Sequence, residues 1–191
     1  MSTAFETAAK QRFVVITGPV GGGKSTVAVE LAAQMKATSC RVAVIDLDVV
    51  YGMVRQKGGF SELEVWAVAR RTSAALSASV FAQGYDCVIL EGEFFSPEHF
   101  APVQGDLPNL PRPTVFALHV TYAEALRRVG LDASRGASKD PVLLRQFHDA
   151  FLEALPFLKQ ETEIVDAESK TALQVAEQIA TRLNAHWARG T

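Results

Sequence analysis

The stretch Gly18-Pro19-Val20-Gly21-Gly22-Gly23-Lys24-Ser25-Thr26 places four glycines ahead of an ammonium group and two hydroxyls. Those residue types at that spacing suit a polyphosphate. Such a group needs several N–H donors turned inward around it, and glycine lets the backbone adopt the required conformations without Cβ clashes. Lys24 would neutralise the β/γ oxygens, Ser25 would hold Mg²⁺ through its hydroxyl, and Thr26 would add a contact to the α-phosphate. A glycine-rich turn that merely joins two elements is the competing reading. The flanks favour phosphate, because an apolar FVVIT precedes the loop and a helix-like VAVELAAQM follows it, where Gly-x-x-x-x-Gly-Lys-Ser functions. The binding set expected here is Gly18, Gly21, Gly22, Gly23, Lys24, Ser25 and Thr26.

Carboxylates stand at the ends of two further apolar runs. In VIDLDVVYGMVR, Asp46 and Asp48 are two apart and would share one face of a strand, both pointing into the crevice beyond the strand ends. A hydroxyl attacking a γ-phosphate needs a carboxylate to orient it and take its proton, which makes Asp48 the expected base and Asp46 a support for Mg²⁺ through water. The alternative is that one of the two caps the helix that follows. In VILEGEFF, Glu91 takes the position of a Walker B acid, serving either metal or substrate, with Glu93 beside it.

Three arginines, Arg127, Arg128 and Arg135, surround a Gly/Ser loop and could neutralise charge on a phosphoryl group in flight. Adjacent arginines on a helix face different ways, so one of Arg127 and Arg128 is expected to face the phosphates. Trp66 and Arg70, with Phe94 on the opposite side, are expected to wall an acceptor pocket suited to a small polar or anionic molecule. Trp66 also has helical spacing with Leu63 and Arg70, which leaves a plain core role open.

The elements that must position these residues are legible as alternating apolar runs and helical segments. Strands are expected at 12–17, 41–46, 85–90, 114–120 and 162–166, nearly continuous in apolar residues as in sheets covered on both faces. Helices are expected at 24–37, 61–83, 121–131, 141–156 and 171–188. Gly84 reads as a stop, Pro141 as a start, and Ser96-Pro97-Glu98 as the cap of a short helix inside the proline-rich connection 92–113. Alternating strands and helices imply parallel βαβ units and an α/β doubly wound sheet.

The bulk properties exclude several classes. With 191 residues, a net charge of −2 and 48% hydrophobic residues, the chain fits one soluble domain without the basic footprint of a nucleic-acid binder. Cys40 and Cys87 are too few for a disulfide framework, and Cys87 sits in an apolar run as a core thiol would. No run is long enough to span a membrane and the first residues lack a signal-peptide core, so a cytoplasmic location is expected, with residues 1–11 disordered. The four histidines show no metal-ligand spacing.

Taken together, the loop, the Asp-Leu-Asp at 46–48, the arginines of 127–139 and the closing EIVDAESKTALQVAEQIATRL resemble the small-molecule P-loop kinases, the group that holds shikimate, gluconate and adenylylsulfate kinases and chloramphenicol phosphotransferases. The resemblance runs from Phe13 to about Leu183. It implies a P-loop NTPase three-layer αβα fold over a single domain, with five parallel strands in the order 2-3-1-4-5, a lid at about 127–140, and adenine near Asp166 and Ala167. It further implies Mg·ATP-dependent phosphorylation of a small molecule by a monomer or homodimer, with no nucleic acid or membrane partner. Where shikimate kinases carry Gly-Gly-Gly after the third strand, this chain reads EGEFF, which argues against shikimate as acceptor. Two other functions compete: a nucleotide switch or NTPase acting through a protein partner, and a module that binds nucleotide without turnover. Neither D-x-x-G nor N-K-x-D, the marks of a GTPase switch, occurs in the chain.

Overall fold

A computed structural model of the chain describes residues 11–55, 61–105, 107–131 and 139–189. Its sheet consists of β1 (Arg12–Thr17), β2 (Val42–Asp46), β3 (Cys87–Glu91), β4 (Thr114–His119) and β5 (Glu163–Asp166), all parallel, in the order β2-β3-β1-β4-β5. The expected strand order and fold class are therefore the observed ones.

Both faces of the sheet are covered, which explains why the strands read as unbroken apolar runs. On one face Val14 and Ile16 pack against α1 (Lys24–Lys36) and α7 (Ala172–Arg189), around Leu31, Ala176 and Ile179. On the other, Phe13 and Val15 pack against α2 (Leu47–Val54), α3 (Glu62–Ala82), α4 (Pro97–Gln104) and α6 (Pro141–Glu161), where Phe81, Phe100 and Phe151 are wholly or almost wholly buried. The remaining helix, α5 (Tyr122–Leu131), follows β4. Cys87 lies in the first cluster, and burial pushes its thiol up to about 12, consistent with a reduced core residue.

Helix starts follow their caps. Ser61 and Glu64 form a reciprocal capping box at α3, which carries Trp66 and Arg70. Asp140 accepts from Val142 N ahead of Pro141 at α6, and Ser96 accepts from His99 N ahead of Pro97 at α4. Helix α6 runs to Glu161, past the expected end at 156, although Pro156 lies inside it. Pro156 sits on the exposed side while Leu158 is fully buried, so packing carries the helix through the missing backbone bond.

Two local expectations need correction. Asp48 is not on a strand. Asp46 Oδ1 accepts from Asp48 N at 2.8 Å and Val49 N at 3.3 Å, so Asp46 is the cap of α2 and the chain turns helical at once, placing Asp48 in the first turn. Gln11 is likewise not disordered, because its Nε2 donates to the carbonyls of Phe81 at 2.8 Å and Tyr85 at 3.3 Å. Residues 1–10 lie outside the described residues, as does 132–138, the middle of the expected lid and the segment that contains Arg135.

Candidate active site

Gly18 to Gly23 leave β1 and return into α1 by a route closed to side chains. At Gly18, φ is 146° and a Cβ would lie 2.7 Å from the Leu118 carbonyl oxygen. At Gly21, φ is 78° and a Cβ would lie 2.8 Å from the Ala125 carbonyl oxygen. Gly23 stands at the N-cap of α1 with φ 91° and no capping side chain, so the first amides of that helix are not taken up by a neighbouring hydroxyl or carboxylate. Lys24 is half-buried, and its Nζ donates to the carbonyls of Gly18 at 3.0 Å and Pro19 at 3.2 Å, arched over the loop it follows. Ser25 and Thr26 are exposed at the start of the helix.

The carboxylates converge from the neighbouring strands. Parallel register sets Asp46 beside Glu91, and Glu91 beside Ile16, so the ends of β2, β3 and β1 lie abreast. Glu91 is buried, hydrogen-bonds with Ser25 and Asp46, and faces Lys24. Burial first, and the Asp46 charge after it, push its carboxyl up to about 7 against the pull of Lys24. A buried carboxyl whose proton affinity a second acid raises, beside a serine hydroxyl, is a donor set that a divalent cation relieves, so Ser25, Asp46 and Glu91 fit Mg²⁺. Glu93 is half-buried, close to Lys24, Asp48 and Arg70, and burial raises its carboxyl too.

Arg70 is buried, yet it contacts the backbone: its Nε and Nη2 donate to the Glu93 carbonyl at 3.2 and 2.9 Å. Its guanidinium lies 5.7 Å from the Trp66 ring centre and 6.0 Å from that of Phe94, and burial lowers its pKa to about 10, leaving it charged at neutral pH. Trp66 is half-buried and stacks on Tyr51 with ring centres 3.9 Å apart. Phe94 does not wall a pocket. It is wholly buried against Phe100, because the hydrogen bonds at its backbone turn the ring into the core.

The two arginines of α5 separate as expected. Arg128 reaches the loop, donating to the carbonyls of Gly22 at 3.1 Å, Ala167 at 2.7 Å and Lys170 at 3.3 Å. Arg127 does not reach it. Its side chain is 59% exposed and pairs with Glu124 at 2.7 Å on its own helix. Glu124 also holds Arg128 at 2.7 Å, and the two arginines draw its carboxyl down to about 2. Beneath Arg128 a cleft of about 250 Å³ opens between Gly22, Thr26, Val129, Lys170 and Val175, beside Ala167, where the resemblance sets adenine.

Four contributors escaped the sequence reading: Thr17, Tyr51, His99 and Glu124. For Glu124 a signal existed, since arginines three and four residues further along a helix reach back to an acid. The others carry no mark in their own residue types. His99 Nδ1 accepts from Phe95 N at 3.1 Å, and burial, with Arg70 nearby, lowers its pKa to about 4. A histidine kept neutral in the fold but titrating near 6.5 when unfolded stabilises the protein above pH 6.5, and the contribution is lost as the pH falls toward 4. Melting temperature is therefore expected to decline across that window, and more steeply than in His99→Gln, whose amide oxygen accepts the same bond without taking up a proton. Identical pH profiles for the two proteins would contradict this.

Residues 8–61 match the ParA family model, described as an NUBPL iron-transfer P-loop NTPase; the match spans β1, the glycine loop, α1, β2 and α2. No curated protein sequence matches the chain. Among solved structures, a sugar kinase from Janibacter sp. is similar with a TM-score of 0.67 at 17% identity, over 95% of this chain and 99% of that one. Thymidylate kinase from Candida albicans gives 0.63 at 17% identity, over 93% and 92%. Shikimate kinase from Acinetobacter baumannii in complex with shikimate gives 0.61 at 16% identity, over 95% and 97%. The chain thus has the fold of the P-loop kinases along nearly its whole length.

Proposed function

We propose that the chain is a phosphotransferase that moves the γ-phosphoryl group of ATP to a hydroxyl or phosphate of a small molecule, assisted by Mg²⁺. The observation that carries this reading is the meeting of Lys24 with Glu91 and Glu93, which have Asp46 and Asp48 beside them in turn, at the strand ends next to the glycine loop. A nucleotide switch needs the loop but not the acids of the acceptor side.

The roles proposed are these. The amides of Gly18–Ser25 and the ammonium of Lys24 bind the phosphates, with Thr26 at the α-phosphate. Arg128 borders the cleft for the base. Ser25, Asp46 and Glu91 would hold Mg²⁺, which would supply charge neutralisation to the phosphates. Asp48, exposed in the first turn of α2, orients the acceptor and takes its proton while the acceptor oxygen bonds to the γ-phosphorus and the bond to ADP breaks. Trp66 and Arg70 border the acceptor site. Arg135 is the arginine proposed to act from the lid, and Arg127 contributes through Glu124.

The acceptor can be sought without assuming it. With Mg²⁺ and a non-hydrolysable ATP analogue present, sugars, polyols, nucleosides and nucleoside monophosphates are screened by thermal shift. A ligand at about 100 times its Kd adds about 2.7 kcal/mol, a rise of roughly 5–10 °C for a chain of this size. The expected result is such a rise for one chemical class, followed by ADP release that depends on it. ADP release indifferent to every small molecule but stimulated by a protein would favour an NTPase working through a partner, the reading to which the ParA match also belongs.

A further inference from the structure

The segment that carries Glu93 is held at every backbone position from 92 to 95. Gly92 N donates to the Ile16 carbonyl at 3.1 Å. The Glu93 carbonyl accepts both Arg70 bonds. Phe94 N donates to Thr17 Oγ1 at 3.0 Å, and the Thr17 hydroxyl donates to the Phe94 carbonyl at 3.3 Å. Phe95 N donates to His99. The fit is tight on the remaining side, since a Cβ on Gly92 would come within 2.5 Å of Leu47 Cβ.

Thr17 is the link that matters for transfer. It is fully buried, it immediately precedes Gly18, and its one hydroxyl serves both polar groups of Phe94. Besides the Gly92–Ile16 backbone bond, the backbone that starts the phosphate loop and the backbone that carries Glu93 are therefore joined through one side chain. We propose that Thr17 is a positioning residue for phosphoryl transfer: it locks the 92–95 segment to the start of the phosphate loop, so that Glu93 keeps its place relative to Lys24 and Asp48. This rests on the phosphotransferase reading. A hydroxyl that directly follows the apolar run Phe13–Ile16, spent entirely on the neighbouring loop, has no other partner among the described residues.

The test compares Thr17→Val, which keeps the shape and removes the hydroxyl, with Thr17→Ser, which keeps the hydroxyl. Three quantities are read: Mg·ADP affinity by calorimetry, the rate of Mg·ATP hydrolysis with water in the acceptor's place, and hydrogen exchange at the Phe94 amide. Expected for Thr17→Val are unchanged Mg·ADP affinity and KM for ATP, a kcat lower by about 10- to 100-fold, and Phe94 exchange faster by about tenfold or more. Thr17→Ser is expected to restore both. Normal kcat in Thr17→Val despite fast exchange would overturn the proposal, and so would slow exchange. Should the wild type bind Mg·ADP yet turn nothing over with water or with any of the screened acceptors, the phosphotransferase reading fails, and the exchange rates alone then decide whether the link exists. If Thr17→Val does not fold, Arg70→Lys, which keeps the charge but can make only one of the two bonds to Glu93, is expected to show the same split between kcat and KM; equal losses in both would overturn it.

Discussion

Asp48→Asn is expected to cut acceptor-dependent transfer by about 10²- to 10⁴-fold, the usual worth of a positioned general base. Asparagine keeps the size and hydrogen-bonding reach of the side chain and loses only the ability to take a proton. The cap of α2 is supplied by Asp46, so the helix survives the change. Mg·ADP affinity should stay within about twofold, because the proton is transferred only in the transition state and its loss appears in kcat rather than in binding. Steady-state kinetics with calorimetry on the same preparation check both halves. Undiminished transfer would move the base to Glu93, the neighbouring carboxylate whose proton affinity burial already raises.

Lys24→Met carries the second large effect. Its Nζ bonds two carbonyls of the loop and stands next to Glu91 and Glu93, so it is the cation on which both the phosphates and the acids depend. Methionine has nearly the same length and no charge. Losing one preorganised donor at a developing charge costs about 10²- to 10³-fold in kcat, and here nucleotide binding should weaken as well, since the same ammonium faces the phosphates in the ground state. Retention of normal Mg·ADP affinity would contradict the assignment.

The fold was legible because period-two burial on both faces left apolar runs too long to be loops, and because Ser61, Ser96 and Asp140 with Pro97 and Pro141 announce helix starts. The glycine loop was legible for the same reason that it works: no other composition permits the conformations of Gly18 and Gly21. Around the loop the reading lost precision. The rule that residues two apart share a face failed at Asp46 and Asp48, because a carboxylate at a strand end can cap and turn the chain helical one residue early. Phe94 and Phe95 look equivalent as letters, and only the bonds of Phe94 to Thr17 decide that one ring is core. Thr17 and Tyr51 act through partners 77 and 15 residues away, at separations where a single sequence gives no pairing signal, and His99 accepts from a backbone amide, which no residue type announces.

No helix among the described residues is long and apolar enough to cross a membrane, and no described cluster of acids, histidines and cysteines forms a metal site by itself.

The central claim is that the amides of residues 18–26 receive the phosphates of a nucleotide. Hydrogen exchange of the whole chain with and without saturating Mg·ADP tests it most directly, with Mg²⁺ alone and adenosine alone as controls. Slowing should be strongest at 18–26, weaker at 167–170 beside Arg128, and absent at 18–26 with adenosine. Slowing elsewhere while the amides of 18–26 exchange as fast as before would contradict it.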